Sequence, residues 1–104
     1  DGFLPMGPCI ATVNSLPYPP KVQVQSRVNG ELRQDSNTDL LIFGIDHIVS
    51  ELSQGMTLKP GTVIATGTPA GVGMGFDPPR FLKPGDVVEC SIEGIGSITN
   101  TVTE

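Results

Sequence analysis

At 104 residues and a formal charge of −5, this sequence carries only six basic residues, scattered along the chain, and so has no cationic track for a nucleic acid or an anionic membrane. Thirteen Gly and ten Pro exclude a helical bundle and point to short strands joined by turns. The length suits one small domain or part of a larger one, and the apolar residues fall in periodic blocks, as folding requires.

The chain opens without Met or a basic-then-apolar leader, and DGFLPMGP reads as continuing from a preceding segment. Cys9–Val13 is predicted as a short strand after the turn at Pro5, Gly7 and Pro8. Leu16–Pro20 holds three prolines and reads as an extended loop. Lys21–Asn29 alternates: Val22, Val24, Ser26 and Val28 share one face, Lys21, Gln23, Gln25 and Arg27 the other. Asn29-Gly30 then predicts a two-residue hairpin turn, with Glu31–Gln34 as the return strand.

Ser36–Asp39 is polar and turn-like. Ile45, Ile48, Val49 and Leu52 recur on one helix face, which predicts an amphipathic helix ending at Gly55 and starting as early as Asp39 or Leu40. The longest apolar stretch, around Leu40–Phe43, is too short to cross a bilayer. The second half repeats itself: Leu58-Lys59-Pro60-Gly61 and Leu82-Lys83-Pro84-Gly85 each set a tight turn before a β-branched run. Strands are expected after both, at Val63–Ala65 and Val87–Glu93, followed by a turn at Glu93-Gly94 and a last strand Ser97–Val102. The fold class is therefore mostly β with one or two short helices, about six strands in all.

Thr66-Gly67-Thr68-Pro69-Ala70-Gly71-Val72-Gly73-Met74-Gly75 packs four glycines into the nine residues 67–75. Such a backbone can approach another object closely, and its N–H groups with the Thr68 hydroxyl can form an anion nest. It has no Lys for a Walker loop, and Phe76-Asp77-Pro78-Pro79 forbids the helix that a dinucleotide fingerprint needs. A carboxylate-binding loop and a plain Gly-rich hairpin loop both fit. His47 and Glu51 form an i, i+4 pair, but on the helix face away from Ile48 and Leu52, as a solvated pair would. Asp35/Asp39 and Glu89/Glu93 lie beside turns or along a strand edge, and there is no Glu-x-Glu or G-x-S-x-G in the chain. Cys9 and Cys90, far apart and without a C-x-x-C spacing, are expected as free, buried thiols, a disulfide between the two ends being the alternative.

Assembled, these pieces resemble the C-terminal part of the fumarylacetoacetate hydrolase family. The resemblance rests on Phe3-Leu4-Pro5-Met6-Gly7-Pro8, Val28-Asn29-Gly30-Glu31 with Arg33-Gln34, Asn37-Thr38, Leu52-Ser53 and Leu58-x-Pro60-Gly61. It continues through Ile64-x-Thr66-Gly67-Thr68-Pro69-x-Gly71-Val72-Gly73, Leu82-Lys83-Pro84-Gly85-Asp86-Val87-Val88 and Ile92-Glu93-Gly94-Ile95-Gly96, in the family's order. It implies that residues 1–104 form the C-terminal segment of one catalytic domain, a mixed β-sheet roll left incomplete here. It further implies a homodimer, a cytoplasmic or mitochondrial location, and a divalent cation (Mg²⁺, or Mn²⁺ or Ca²⁺).

The implied substrates are 2-oxo or acylpyruvate-type carboxylates, cleaved hydrolytically at a C–C bond or decarboxylated, with the metal stabilising an enolate. Carried over, Thr68 contacts the substrate carboxylate and Gly67 and Pro69 hold its shape, while Gln34 and Thr38 fill structural positions. Asp1-Gly2-Phe3 corresponds to the stretch after the family's active-site lysine; Gly2 stands where a Thr is frequent. The family's metal ligands, a Glu-x-Glu pair and a later Asp, and its lysine and His/Glu dyad match nothing here and are expected before Asp1 or on a second chain. No residue of this segment is expected to be catalytic or to hold the metal, and alone it is expected to be inactive. A non-catalytic dimerisation or interaction remnant of the same fold is the alternative.

Overall fold

The structure is a computed structural model and describes residues 2–103. The alternating segment forms β1 (Gln23–Val28), and the Asn-Gly turn returns it as β2 (Glu31–Asn37). Both turn residues are left-handed, Asn29 at φ 51° and Gly30 at φ 80°, the twist a two-residue hairpin requires. β2 pairs antiparallel with β1, and the register shifts between Ser26 and Arg27: Ser26 faces Gln34 whereas Arg27 faces Leu32, leaving Arg33 as the extra residue of a bulge. The other edge of β1 pairs with β3 (Val87–Ile92), which pairs in turn with β4 (Gly96–Thr101). The result is an open four-stranded antiparallel sheet in the order β2-β1-β3-β4.

The register sorts the two faces. Val24, Val28, Val88, Ile92 and Ile98 share one with Ser26, Gln34 and Cys90; Gln23, Gln25, Asp35, Glu89, Ser91 and Ser97 share the other. Helix α1 (Ile45–Gly55) is the predicted helix, Gly55 being its last residue rather than the position beyond it. It does not reach back to Asp39. The Asn37 side chain accepts from Asp39 N–H to start a separate 3-10 turn, Thr38–Leu40, and Gly44 is extended before α1 begins.

Both Leu-Lys-Pro-Gly segments fold into the same turn. Thr62 N–H donates to the Lys59 carbonyl at 3.0 Å and Lys59 N–H to Thr62 Oγ1 at 3.1 Å. In the second copy Asp86 N–H donates to the Lys83 carbonyl at 3.0 Å and Lys83 N–H to Asp86 Oδ2 at 2.8 Å. Gly61 and Gly85 take the positive φ values, 86° and 92°, that close such turns. Only the second turn enters the sheet. Val63–Ala65 and Cys9–Val13 join no ladder among the described residues, Val13 falling in a turn closed on the Thr12 carbonyl, so four strands form where about six were expected.

The chain folds around very little core. Val22, 8% exposed, is the one buried apolar residue among the described residues, while Phe3, Leu4, Ile10, Ile42, Met74 and Phe81 stand open to solvent. Its accessible surface of 8053 Å² compares with about 5,600 Å² for a self-contained chain of this size. The radius of gyration, 15.3 Å, compares with about 13 Å. For the same reason the cysteines depart from expectation: Cys9 and Cys90 are free but exposed, because no apolar layer covers the sheet face that carries Cys90. Among the described residues no helix is long and apolar enough to cross a membrane.

Candidate functional site

The glycine-rich segment lies across the apolar face of the β1–β2 hairpin at the bulge. Its backbone touches the strand directly: a Cβ on Gly71 would stand 2.0 Å from the Arg33 carbonyl oxygen and 3.1 Å from Gln34 Cγ. Gly71 also has φ 106°, so both space and conformation demand glycine. Further on, a Cβ on Gly73 would lie 2.3 Å from the Arg80 carbonyl oxygen, and Arg80 N–H donates to the Gly73 carbonyl at 2.8 Å. A short 3-10 turn, Gly73–Gly75, completes the segment. This is a pinned loop, not the flexible hairpin loop that composition alone permits.

Gln34 ties the start of the loop to the sheet. Its side-chain amide donates to Thr68 Oγ1 at 2.7 Å and to the Pro69 carbonyl at 2.9 Å, while its own carbonyl accepts from Ser26 Oγ at 2.8 Å. Gly67, at φ 101° with open space where a Cβ would be, turns the chain just before Thr68. Thr68 is exposed and Pro69 half-buried. Gly67, Thr68 and Pro69 thus sit together beside the hairpin, with the Thr68 hydroxyl oxygen on the Gln34 amide and the residue exposed. Thr38 anchors the far end of β2: its Oγ1 accepts from Val22 N–H at 3.0 Å and donates to the Pro20 carbonyl at 2.7 Å.

Just after the loop, two guanidiniums lie over the Phe76 ring, with Arg33 Cζ and Arg80 Cζ 5.2 and 5.3 Å from its centroid. Arg80 grips Glu31 through both carboxylate oxygens at 2.7 and 2.8 Å, and Arg33 Nε stands 3.5 Å from the same carboxylate. The Arg80 bond holds the Glu31 carboxyl below its ordinary range and raises Arg80. This clasp joins the start of β2 to the segment after the loop. A lone Arg and a Phe beside prolines did not announce it in the sequence.

The other sequence candidates serve local structure. His47 stacks on Phe43 with centroids 4.7 Å apart, and Glu51 accepts from Gln54, so the two do not pair. Asp35 accepts from Gln23 Nε2 at 2.8 Å and Glu93 from Gln23 N–H at 3.1 Å. Tyr18 donates to Asp46, joining the proline loop to α1, and that bond raises the phenol above its ordinary value. Asp1 lies outside the described residues. Among the described residues, no three of His, Cys, Asp and Glu come together as a metal site, so these side chains do not fit a divalent ion by themselves.

An open antiparallel sheet with a glycine-pinned Gly-Thr-Pro loop on its hairpin defines the class. The chain belongs to the fumarylacetoacetate hydrolase family, matching its profile, fumarylacetoacetate (FAA) hydrolase C-terminal, over residues 1–103. The fumarylacetoacetate hydrolase of psychrophilic Exiguobacterium antarcticum superposes with a TM-score of 0.93 at 53% identity, over 99% of this chain and 37% of that one. The maleylpyruvate hydrolase of Sphingobium sp. SYK-6, solved with manganese(II) and pyruvate, superposes with a TM-score of 0.82 at 36% identity, over 93% of this chain and 34% of that one. An uncharacterised protein of Staphylococcus aureus strain USA300 is 48% identical over 103 residues, 99% of this chain and 34% of its own length. The chain therefore spans about a third of the length of the curated relatives it matches.

Proposed function

We propose that this chain is the carboxylate-gripping, C-terminal part of an enzyme that hydrolyses a C–C bond in 2-oxo or acylpyruvate-type acids with the help of a divalent cation. The cation is held by residues outside those described, and the complete enzyme works as a homodimer. The observation that carries this reading is the state of Thr68. Its oxygen is occupied as an acceptor by the Gln34 amide, it is exposed, and no acceptor among the described residues takes its proton. A hydroxyl so placed is a ready donor to an anionic oxygen, and Gly67 and Pro69 keep it there. The Sphingobium relative, solved with manganese(II) and pyruvate, supports a small 2-oxo acid and a divalent ion as the partners.

A scaffold kept only for dimerisation is the second reading, favoured by the open apolar surface. It gives the pinned geometry of Thr68 no purpose. Replacing Thr68→Ala in the complete protein separates the two. The enzyme reading expects KM for the carboxylate substrate to rise, or kcat to fall, by about one to two powers of ten. Unchanged kinetics would remove Thr68 from the site.

A further inference from the structure

Gln34 does more than fasten the loop, and the polarity of its hydrogen bonds shows how. The Pro69 carbonyl can only accept, so the atom facing it at 2.9 Å must be the amide nitrogen. With the amide oriented by Pro69, Ser26 Oγ, 2.8 Å from the other end, donates to Oε1 and satisfies it. With its orientation fixed, the second amide hydrogen points to Thr68 Oγ1 at 2.7 Å, and Thr68 must accept. The Thr68 proton is thereby not given to Gln34, and no acceptor among the described residues takes it.

The strand geometry makes this arrangement rigid. Gln34 follows the bulged residue Arg33 and pairs across the ladder with Ser26, which puts the relay on one face. Gly71 lies against the Arg33 carbonyl, so the loop cannot slide along the strand without a backbone clash.

We propose that Gln34, backed by Ser26, is a positioning residue that holds the Thr68 hydroxyl as an obligate donor and so tunes the site for a ligand presenting a bare acceptor such as a carboxylate. This inference rests on the reading of Thr68 as a carboxylate contact. Gln34 itself touches neither the ligand nor the reacting atoms.

The test uses the complete protein, with oxalate as the probe in the presence of Mn²⁺, and compares Gln34→Glu, Ser26→Ala and Thr68→Val by calorimetry. At neutral pH the carboxylate of Gln34→Glu has no hydrogen to give Thr68, so it draws the hydroxyl proton inward. Oxalate should bind about tenfold or more weakly. The same variant should raise KM for the substrate while leaving kcat within about threefold, because no transition-state contact is lost.

Lowering the pH should restore part of the affinity of Gln34→Glu, since a protonated carboxyl can again donate to Thr68, and the wild type should not show that recovery. Placed on Thr68→Val, Gln34→Glu should cost little more, because the residue it acts through is gone. Ser26→Ala, which keeps Gln34 itself, should weaken oxalate about threefold and likewise fall silent on Thr68→Val. It carries the test if Gln34→Glu does not fold.

Wild-type oxalate affinity in Gln34→Glu or Ser26→Ala, alongside a weakened Thr68→Val, would overturn the inference and leave the carboxylate reading standing. Full additivity with Thr68→Val would overturn it too. Wild-type affinity in Thr68→Val would bring down the carboxylate reading first, and this inference with it.

Discussion

Gly67 and Gly71 both hold positive φ, yet they hold it for different reasons. A Cβ at Gly67 would meet open space, so Gly67→Ala faces only the left-handed backbone cost of about 1–2 kcal/mol. A Cβ at Gly71 would be driven into the Arg33 carbonyl at 2.0 Å, and neither backbone can give way without breaking the bulge. Gly71→Ala should therefore lose at least about 3 kcal/mol in urea unfolding of the complete protein, clearly more than Gly67→Ala. Equal losses would mean that the loop is not pinned at Arg33. The sequence made these glycines conspicuous and excluded nucleotide loops, but left a carboxylate grip and a plain turn equally open. What decided the geometry is Gln34, whose partners Ser26 and Thr68 lie 8 and 34 positions away and leave no local pattern to read.

Between elements, the hairpin was legible because its signals are local: strict alternation along β1, then Asn-Gly. The role of the Asn29 side chain was not. Its Oδ1 accepts from Val87 N–H at 2.9 Å and its Nδ2 donates to Asp86 at 2.9 Å, locking the hairpin turn to the entry of β3. Asn29→Gly keeps the left-handed turn but loses both bonds, and should lower stability by about 1–2 kcal/mol in a denaturant melt. No loss would make Asn29 a turn residue only. The two missing strands failed for a related reason: a β-branched run becomes a strand only when an edge is offered, and Val63–Ala65 has none among the described residues.

The Glu31–Arg80 clasp adds a pH dependence. The folded carboxyl sits below its ordinary 4.5, so in acid the unfolded chain takes up more protons than the folded one. Its contribution is complete above about pH 4.5 and is lost as pH falls through the lowered folded value. Melting curves from pH 7 to 3 should show Glu31→Gln below wild type at neutral pH and the gap closing in acid. Asp86, lowered by its bonds to Asn29 and Lys83 N–H, will leave both proteins some residual acid sensitivity. A gap constant with pH would contradict the clasp.

At the scale of the whole molecule, the described residues form an open sheet whose apolar face carries a loop but no covering layer. One buried apolar residue cannot offset the conformational entropy of a hundred ordered ones. The isolated chain should bind a hydrophobic dye and self-associate, which light scattering and dye fluorescence will read; a dispersed, dye-silent monomer would contradict this. It should also show no micromolar Mg²⁺ binding by calorimetry, since no three candidate ligands meet among the described residues.

The proposed donation from Thr68 to the carboxylate of the substrate can be read from oxalate binding by the complete protein with Mn²⁺. Thr68→Val keeps the shape but removes the proton, and Thr68→Ser keeps the proton but drops the methyl. Oxalate should bind about ten- to a hundredfold more weakly in Thr68→Val and near wild type in Thr68→Ser. Wild-type affinity in Thr68→Val would contradict it.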